Sequence, residues 1–442
     1  MTCVESEWLV RWPRVTFLGH DSAEPWQAAP MIDGVQVDGL ARTAVPGGTF
    51  RNWAVQPGGL APDEGGRLSV CLYTPSADPS GMGQHMLDLV AEYVPRTHVS
   101  LMCRPTEPGQ RVLARAAALG ATTLALLHPR DPAFGEVIVD FLHRHPTEVF
   151  HLHVGTGREN FGGARAARVA GVPAIVQTQH QPWLMRSPAK QRSFFRGLQH
   201  VDRLIAVSQA QRETYERIGV PGGLFCTVPN GVGTRRATLD RTAARKALGL
   251  DPDQLVVVTI GRLAPMKGHR HLLDSTPGLL ARFPRLAVLV IGEGHLHGEL
   301  AEQAAVLGVG DCVRLLGHRP DARRLLDAAD VFVLPSLHEG MPLVAMEAME
   351  AALPVVATRV IGSAEVIVHG ETGLLAPAGD APALGEALAT LLADPALRAR
   401  LGRAGRRRYL DHFTRPRMAA RTRAVYAAVQ ESVGAVPIGS RQ

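Results

Sequence analysis

From residue 68 onward, short apolar runs alternate with segments of helical spacing, and this alternation limits the fold more than any other feature of the chain. Leu68 to Tyr73, Val99 to Cys103, Glu148 to His153, Val172 to His180 and Leu204 to Ser208 read as strands. A second series follows at Leu255 to Ile260, Leu286 to Ile291, Val313 to His318 and Val331 to Leu334. Stretches such as Gln84 to Tyr93 have helical spacing between them. Strands that are apolar nearly throughout belong to sheets covered on both faces. Strand–helix–strand order calls for parallel strands joined by right-handed crossovers. The expected fold class is therefore α/β, in two halves that echo one another.

A chain of 442 residues has room for two or three domains. Its composition, 46% hydrophobic and 20% charged, is that of a soluble globular protein. No run approaches the roughly 18 to 20 apolar residues needed to cross a bilayer. The opening MTCVESEWLVRWPRV carries acids early and only a short apolar stretch, which reads against a secretory leader. Cysteines at 3, 71, 103, 226 and 312 show neither metal spacing nor a disulfide pattern and fit a reducing, cytoplasmic setting. A net charge of +6 and a pI near 9.3 suit anionic substrates, or peripheral contact with the anionic inner face of a membrane. Arg406-Arg407-Arg408 reads as a solvated helix face.

Residues 1–67 stand apart. They hold Trp8, Trp12, Trp26 and Trp53, contain no lysine, and are dense in glycine and proline. The preferred reading is an arm or structural appendage tied down by tryptophan. The alternative is a small β appendage whose tryptophans stack on sugars or a partner.

The segment His338-Glu339-Gly340-Met341-Pro342-Leu343-Val344-Ala345-Met346-Glu347 reads as a loop entering a helix, with Pro342 at the first helical position. Glu339 then lies in the loop and Glu347 one to two turns into the helix. A helix start offers unpaired N–H groups and positive dipole to an anion. Carboxylates on either side of such a site suit hydroxyls flanking a phosphate, which is the layout of a nucleotide-sugar. Spacing alone fits an ordinary amphipathic helix better, since glutamate is common on helices. In the loop Gly261 to Gly268, Arg262 and Lys267 follow a strand; an arginine forks onto phosphate oxygens and a lysine adds a point charge. Gly292-x-Gly294-x-x-x-Gly298 is off by one from a dinucleotide fingerprint, and Asp311 precedes a strand instead of ending one. His151, His153 and His180 lie at carboxyl ends of strands, where open α/β sheets bind ligands. A lone histidine there is more often structural than catalytic.

Glu-x7-Glu, with Gly and Pro after the first glutamate and Ala-Met after the second, resembles the donor signature of retaining glycosyltransferase family four. The similarity extends over about residues 68–430. It implies a GT-B fold: two Rossmann-like parallel-sheet domains facing across a cleft, plus a short N-terminal extension. The corresponding division is 1–67 extension, 68–232 acceptor domain, 233–408 nucleotide-sugar donor domain, and 409–442 crossing helix and tail. Val228 to Val232 looks like the interdomain crossing, with Gly233 where the family usually has Asp. The resemblance also assigns roles. Arg262 and Lys267 match the diphosphate clamp, and Gly292 and Gly294 lie near the nucleotide. Gly317 and His318 sit where backbone groups hold the base. Gly340, Met341, Pro342 and Leu343 form the donor-facing helix start. Glu347 is expected on the ribose and Glu339 on the sugar ring. His180 is expected beside the transferring sugar, so that Glu339 and His180 are the catalytic candidates, while His153 resembles a second recurrent position. Gly81 and Gly83 fall on the family's glycine-rich loop.

The implied activity is retaining, front-face transfer of a sugar from a nucleotide-diphosphate sugar to an acceptor hydroxyl. It is metal-independent, since no Asp-x-Asp ends a strand, and needs no cofactor beyond the co-substrate. The implied partners are that donor and a saccharide, lipid-linked or small-molecule acceptor, with no nucleic acid. A phosphorylase on the same fold and a non-catalytic sugar-nucleotide binding protein remain as alternatives.

Overall fold

The computed structural model describes residues 68–155, 161–185, 187–235 and 238–434. The tryptophan-rich segment 1–67 and the tail from 435 lie outside the described residues.

The first sheet contains β1 (Ser69–Thr74), β2 (His98–Cys103), β3 (Thr122–Ala125), β4 (Val149–Val154), β5 (Ala174–Gln179), β6 (Arg203–Ala206) and β7 (Phe225–Thr227). Their order is β3-β2-β1-β4-β5-β6-β7, and every recorded pairing is parallel. The second contains β8 (Leu255–Ile260), β9 (Leu286–Ile291), β10 (Val313–Leu315), β11 (Val331–Leu334), β12 (Val355–Thr358) and β13 (Gly373–Ala376), in the order β10-β9-β8-β11-β12-β13 and again parallel. In each sheet the chain starts in the middle, winds outward to one edge, and returns to fill the other side. The order reverses between β1 and β4 in the first sheet and between β8 and β11 in the second. Such switch points leave a crevice at the carboxyl ends of the strands.

The period of two along each strand divides its side chains between two cores. Val70 and Leu72 of β1 enter one cluster, and Cys71 and Tyr73 the other. Val256 and Val258 of β8 pack on one face of the second sheet and Val257 on the opposite face. Among the described residues, Cys71, Cys103, Cys226 and Cys312 are free thiols, and no helix is long and apolar enough to cross a membrane.

The chain passes between the sheets twice, and the two passages run side by side. Val232 bridges to Thr414, its N–H donating to the Phe413 carbonyl at 2.9 Å while Arg415 N–H donates to its carbonyl at 3.0 Å. The C-terminal helix Arg415–Gly434 then packs on the first sheet. Met418, Val425, Tyr426 and Val429 join that core, and the Tyr93 hydroxyl donates to the Ala419 carbonyl at 2.9 Å. Gly233 offers its carbonyl to Arg323 Nη2 at 2.6 Å.

Of the boundaries that differ from expectation, two bear on the site. Gly81 and Gly83, expected on a glycine-rich loop, are instead helical, in Ser80–Tyr93. Gly83 is needed for packing: a Cβ there would come within 2.8 Å of Val112 Cγ2 and 3.0 Å of Pro79 Cβ. Pro342 is not the first helical residue but the cap, with ψ of 113°, and the helix is Leu343–Glu350.

Candidate active site at the junction of the two sheets

The loops at the carboxyl edge of the second sheet are stitched into one rim. Gly261 N–H donates to Ile291 O at 2.9 Å, Leu263 N–H to Glu293 O at 2.9 Å, Gly292 N–H to Gly317 O at 2.8 Å and Leu337 N–H to Met266 O at 2.8 Å. Gly292 and Gly294 serve this stitching, because a Cβ on either would overlap the carbonyl of Gly261 or Leu263. Gly317, with φ of 64°, turns the chain after β10 and leaves His318 exposed.

Lys267 and Glu339 meet here. Lys267 ends the short turn after β8 and Glu339 lies in the loop after β11, so the pair spans the switch point. Lys267 Nζ is 2.6 Å from Glu339 Oε1, and the Ser336 hydroxyl donates to the same oxygen at 2.7 Å. Glu339 is 4% exposed, so its charge depends on these partners. Arg262 sits farther out, about 40% exposed, with Nη1 at 2.5 Å from Asp78 Oδ2 of the first half. Arg111 reaches Glu293 at 3.0 Å in the same direction across the cleft. Both links are solvent-accessible and easily exchanged for a ligand's charge.

Glu347, in the helix Leu343–Glu350, is buried. Burial pushes its carboxyl up from 4.5 to about 7; Arg323 opposes this, with Nε at 3.4 Å, while Asp88 and Glu350 reinforce it. The folded state therefore binds the Glu347 proton more tightly than the unfolded chain. Its contribution to stability is full below pH 4.5 and is lost as pH rises through about 7. Glu347→Gln should flatten stability across that window and raise it at pH 8 by about 1–3 kcal/mol. Urea unfolding at pH 5 and pH 8 measures this. A variant less stable than the parent at pH 8 would show that the Arg323 contact outweighs burial.

The first sheet contributes histidines. His180 follows β5, and its carbonyl lies against Gly340 so closely that a Cβ on Gly340 would overlap it. The loop entering the helix Leu343–Glu350 and His180 are thus already apposed. The Ser208 hydroxyl donates to Gly340 O at 3.1 Å, and Asn230 Nδ2 donates to Met341 O at 2.9 Å. Met341 is buried beneath this junction. Glu365 fastens the halves further, accepting from Ala210 N–H at 2.6 Å and Gln209 N–H at 3.0 Å. The His180 ring contacts those of His153 and His85, with centroids at 5.4 and 4.8 Å. Trp183 packs elsewhere, against Phe194 and Tyr215. Burial lowers the pKa of His180 and His153 well below the usual value, and neighbouring histidines add to it. The rings are neutral at pH 7.

Sequence reasoning missed Asp78, His85, Asn230 and Arg323. His85 had a legible signal, as a polar residue on the helix face of Met82, Met86 and Leu89, all buried. Asp78 and Asn230 are single polar residues in loops and Arg323 lies in the short helix Ala322–Leu325, and only contacts across the fold reveal all three.

Residues 79–236 match the model of Glycosyltransferase Family 4, and residues 240–408 match that of Glycosyl transferases group 1. The chain is also 33% identical over 264 residues to the GDP-mannose-dependent alpha-(1-6)-phosphatidylinositol monomannoside mannosyltransferase of Mycolicibacterium smegmatis, covering 56% of this chain and 68% of the relative. The chain belongs to glycosyltransferase family four. It is 34% identical over 188 residues to the lipopolysaccharide core biosynthesis glycosyltransferase LpsE of Rhizobium meliloti, covering 42% of this chain and 53% of that one. It is 39% identical over 210 residues to D-inositol 3-phosphate glycosyltransferase 2 of Catenulispora acidiphila, covering 44% and 48%. The chain spans about half the length of these last two relatives. Among solved structures, Anabaena Alr3699/HepE in complex with UDP-glucose superposes with a TM-score of 0.71 at 20% identity, covering 84% of this chain and 100% of that one. Sucrose-phosphate synthase of Thermosynechococcus elongatus gives 0.69 at 22% identity, covering 83% and 100%. The fold of this family-four chain is GT-B.

Proposed function

We propose that this chain is a retaining glycosyltransferase that moves a hexose from a nucleoside-diphosphate donor to a hydroxyl of a saccharide, lipid-linked or small polyol acceptor. The observation carrying this reading is the meeting of Lys267 and Glu339 at the start of the helix Leu343–Glu350, against His180 of the opposite sheet. Lys267 and Arg262 balance the leaving diphosphate, with help from the helix start, so no metal is needed there. Glu339 accepts from hydroxyls of the sugar ring and Glu347 from the ribose. Neutral His180 lines the sugar and stabilises developing charge; a diphosphate oxygen takes the acceptor proton as the hydroxyl enters on the leaving-group face. Residues 68–232 carry the acceptor side and 233–408 the donor side. Similar proteins support the donor class, since one relative is GDP-mannose-dependent and a structural neighbour holds UDP-glucose.

A thermal-shift screen with nucleoside diphosphates and their sugars tests binding, because a ligand for the folded state raises Tm. With a donor in hand, NMR of the product identifies the anomer, expected to be that of the donor, and a chelator is expected not to lower the rate. Inversion at the anomeric carbon would sink the front-face reading. A chain that no nucleotide stabilises would sink the donor assignment.

A further inference from the structure

Between residues 398 and 423 the chain carries ten arginines against one aspartate, a net +9 within 26 residues. The whole chain is +6, so the remainder is −3 and the basic character belongs to this one segment. It runs through most of the helix Pro395–His412 and into the first half of the helix Arg415–Gly434.

Some of these arginines hold the fold together. Arg398 Nη1 donates to Leu391 O at 2.8 Å, and Arg415 pairs with Glu92 at 2.6 Å. The run Arg406-Arg407-Arg408, expected as a solvated face, is divided: Arg408 turns in and donates to Val366 O at 2.9 Å and Glu365 O at 2.8 Å. Arg403, Arg406, Arg407 and Arg417 are exposed, and none forms an ion pair among the described residues. Arg282 and Arg285 are exposed too but matched, to Glu386 at 3.0 Å and Asp251 at 3.1 Å. We propose that the face formed by Arg403, Arg406, Arg407, Leu410 and Arg417 docks the chain on an anionic lipid bilayer.

Arg403, Arg406, Arg407 and Leu410 stand at i, i+3, i+4 and i+7, on one side of the helix. The other side is fixed. Leu401, Gly402, Gly405 and Tyr409 are buried, and a Cβ on Gly402 would overlap the Ala352 carbonyl. The helix therefore cannot roll to hide its arginines. Like charges at i, i+4 destabilise a helix, and Arg403 and Arg407 have no acid in the helix to offset them. An anionic surface supplies that offset from outside. His412 sits at the corner between the two helices. Burial lowers its pKa, and Arg408, Arg421 and Arg417 lower it further against Asp411, so cations from both helices gather there.

Leu410 points to lipid as the source of the negative charge. It is a large apolar side chain left 48% exposed, one turn beyond Arg406 and Arg407. An apolar residue framed by arginines suits the boundary between headgroups and acyl chains, where it enters the membrane while the guanidinium groups stay at the phosphates. A nucleic acid would call for exposed rings on which bases stack, but Tyr409 and Phe413, the aromatic residues here, are buried.

The test is co-sedimentation of the untagged full chain with vesicles of phosphatidylcholine alone and with about a third phosphatidylglycerol. Binding is expected only to the anionic vesicles. It should fall as salt rises from about 0.1 to 1 M, where the Debye length shrinks from about 10 to 3 Å. Each cation near such a surface contributes about fivefold, so Arg403→Glu/Arg407→Glu should lower partition by at least about 25-fold. Arg403→Gln/Arg407→Gln gives the same comparison with a smaller loss if the charge reversal melts early. Leu410→Ser should weaken binding a few-fold and leave its salt dependence unchanged. Arg282→Glu/Arg285→Glu alters net charge equally, lies outside the face, and should bind as the parent does. A chain that ignores anionic vesicles, a folded double variant that binds like the parent, or an equal loss in the Arg282/Arg285 variant overturns the proposal. Retention by a DNA duplex but not by vesicles also overturns it.

Discussion

Lys267→Ala is expected to cut transfer roughly 10- to 150-fold, the value of a lost charge-assisted contact of about 1.5–3 kcal/mol. It should also destabilise the fold, and the two effects have separate causes. Without Lys267, the Glu339 carboxylate keeps only the Ser336 hydroxyl in a site where it is 4% exposed. Removing one partner of a buried pair typically costs about 3–5 kcal/mol. The double variant Lys267→Ala/Glu339→Gln removes the orphaned charge and should regain most of the stability. It should not regain transfer, since the cation proposed to face the diphosphate is still missing. Melting temperature and turnover of the parent, single and double variants measure both quantities. Recovery of transfer in the double variant would mean that Lys267 only neutralises Glu339.

The same pair shows what the sequence could and could not convey. β8 and β9 were readable to the residue, because Leu286–Ile291 is an unbroken apolar run, Leu255–Ile260 is interrupted only by the β-branched Thr259, and turn residues bound both. β5 was drawn too long, since Val172-Pro173 continues the apolar text although proline gives no ladder N–H. Short strands such as β3 and β7, of 4 and 3 residues, lack enough text to stand out. At the site, the positions of Arg262, Lys267, Glu339 and His180 were legible from their place after strands. Their partners were not. Lys267 and Glu339 are 72 residues apart and meet only because β8 and β11 are neighbours at the switch point. Arg262 and Asp78 are 184 residues apart, and their contact depends on how the two sheets face each other. Periodicity reports which face of an element is buried; it does not report which buried faces meet.

Gly340 depends wholly on that meeting. It lies between Glu339 and the helix cap, and its backbone is pressed from both sides. A Cβ on Gly340 would overlap the His180 carbonyl and approach Gln181 Cα to 3.3 Å. A Cβ on Gly362 would likewise overlap the Gly340 carbonyl, which already accepts from Ser208 Oγ at 3.1 Å. All of these neighbours are backbone or held in place, so none can swing aside as a long side chain could. Gly340→Ala must therefore push the end of β5 away from the loop that enters the helix Leu343–Glu350. A displacement of about 1 Å between reacting parts can cost on the order of 100-fold in rate. Turnover should fall by about that factor. Affinity for a nucleoside diphosphate should change only a few-fold, because Lys267 and Glu347 both belong to the second half and move together. Gly298→Ala is the control, since a Cβ there meets nothing within 4 Å. Calorimetric titration with nucleoside diphosphate, set beside steady-state turnover, separates the outcomes. Turnover at the parent's level would show that the junction yields, and His180 would lose its proposed place beside the sugar. Loss of diphosphate affinity in step with turnover would place Gly340 in the diphosphate site itself and not at a joint between the sheets.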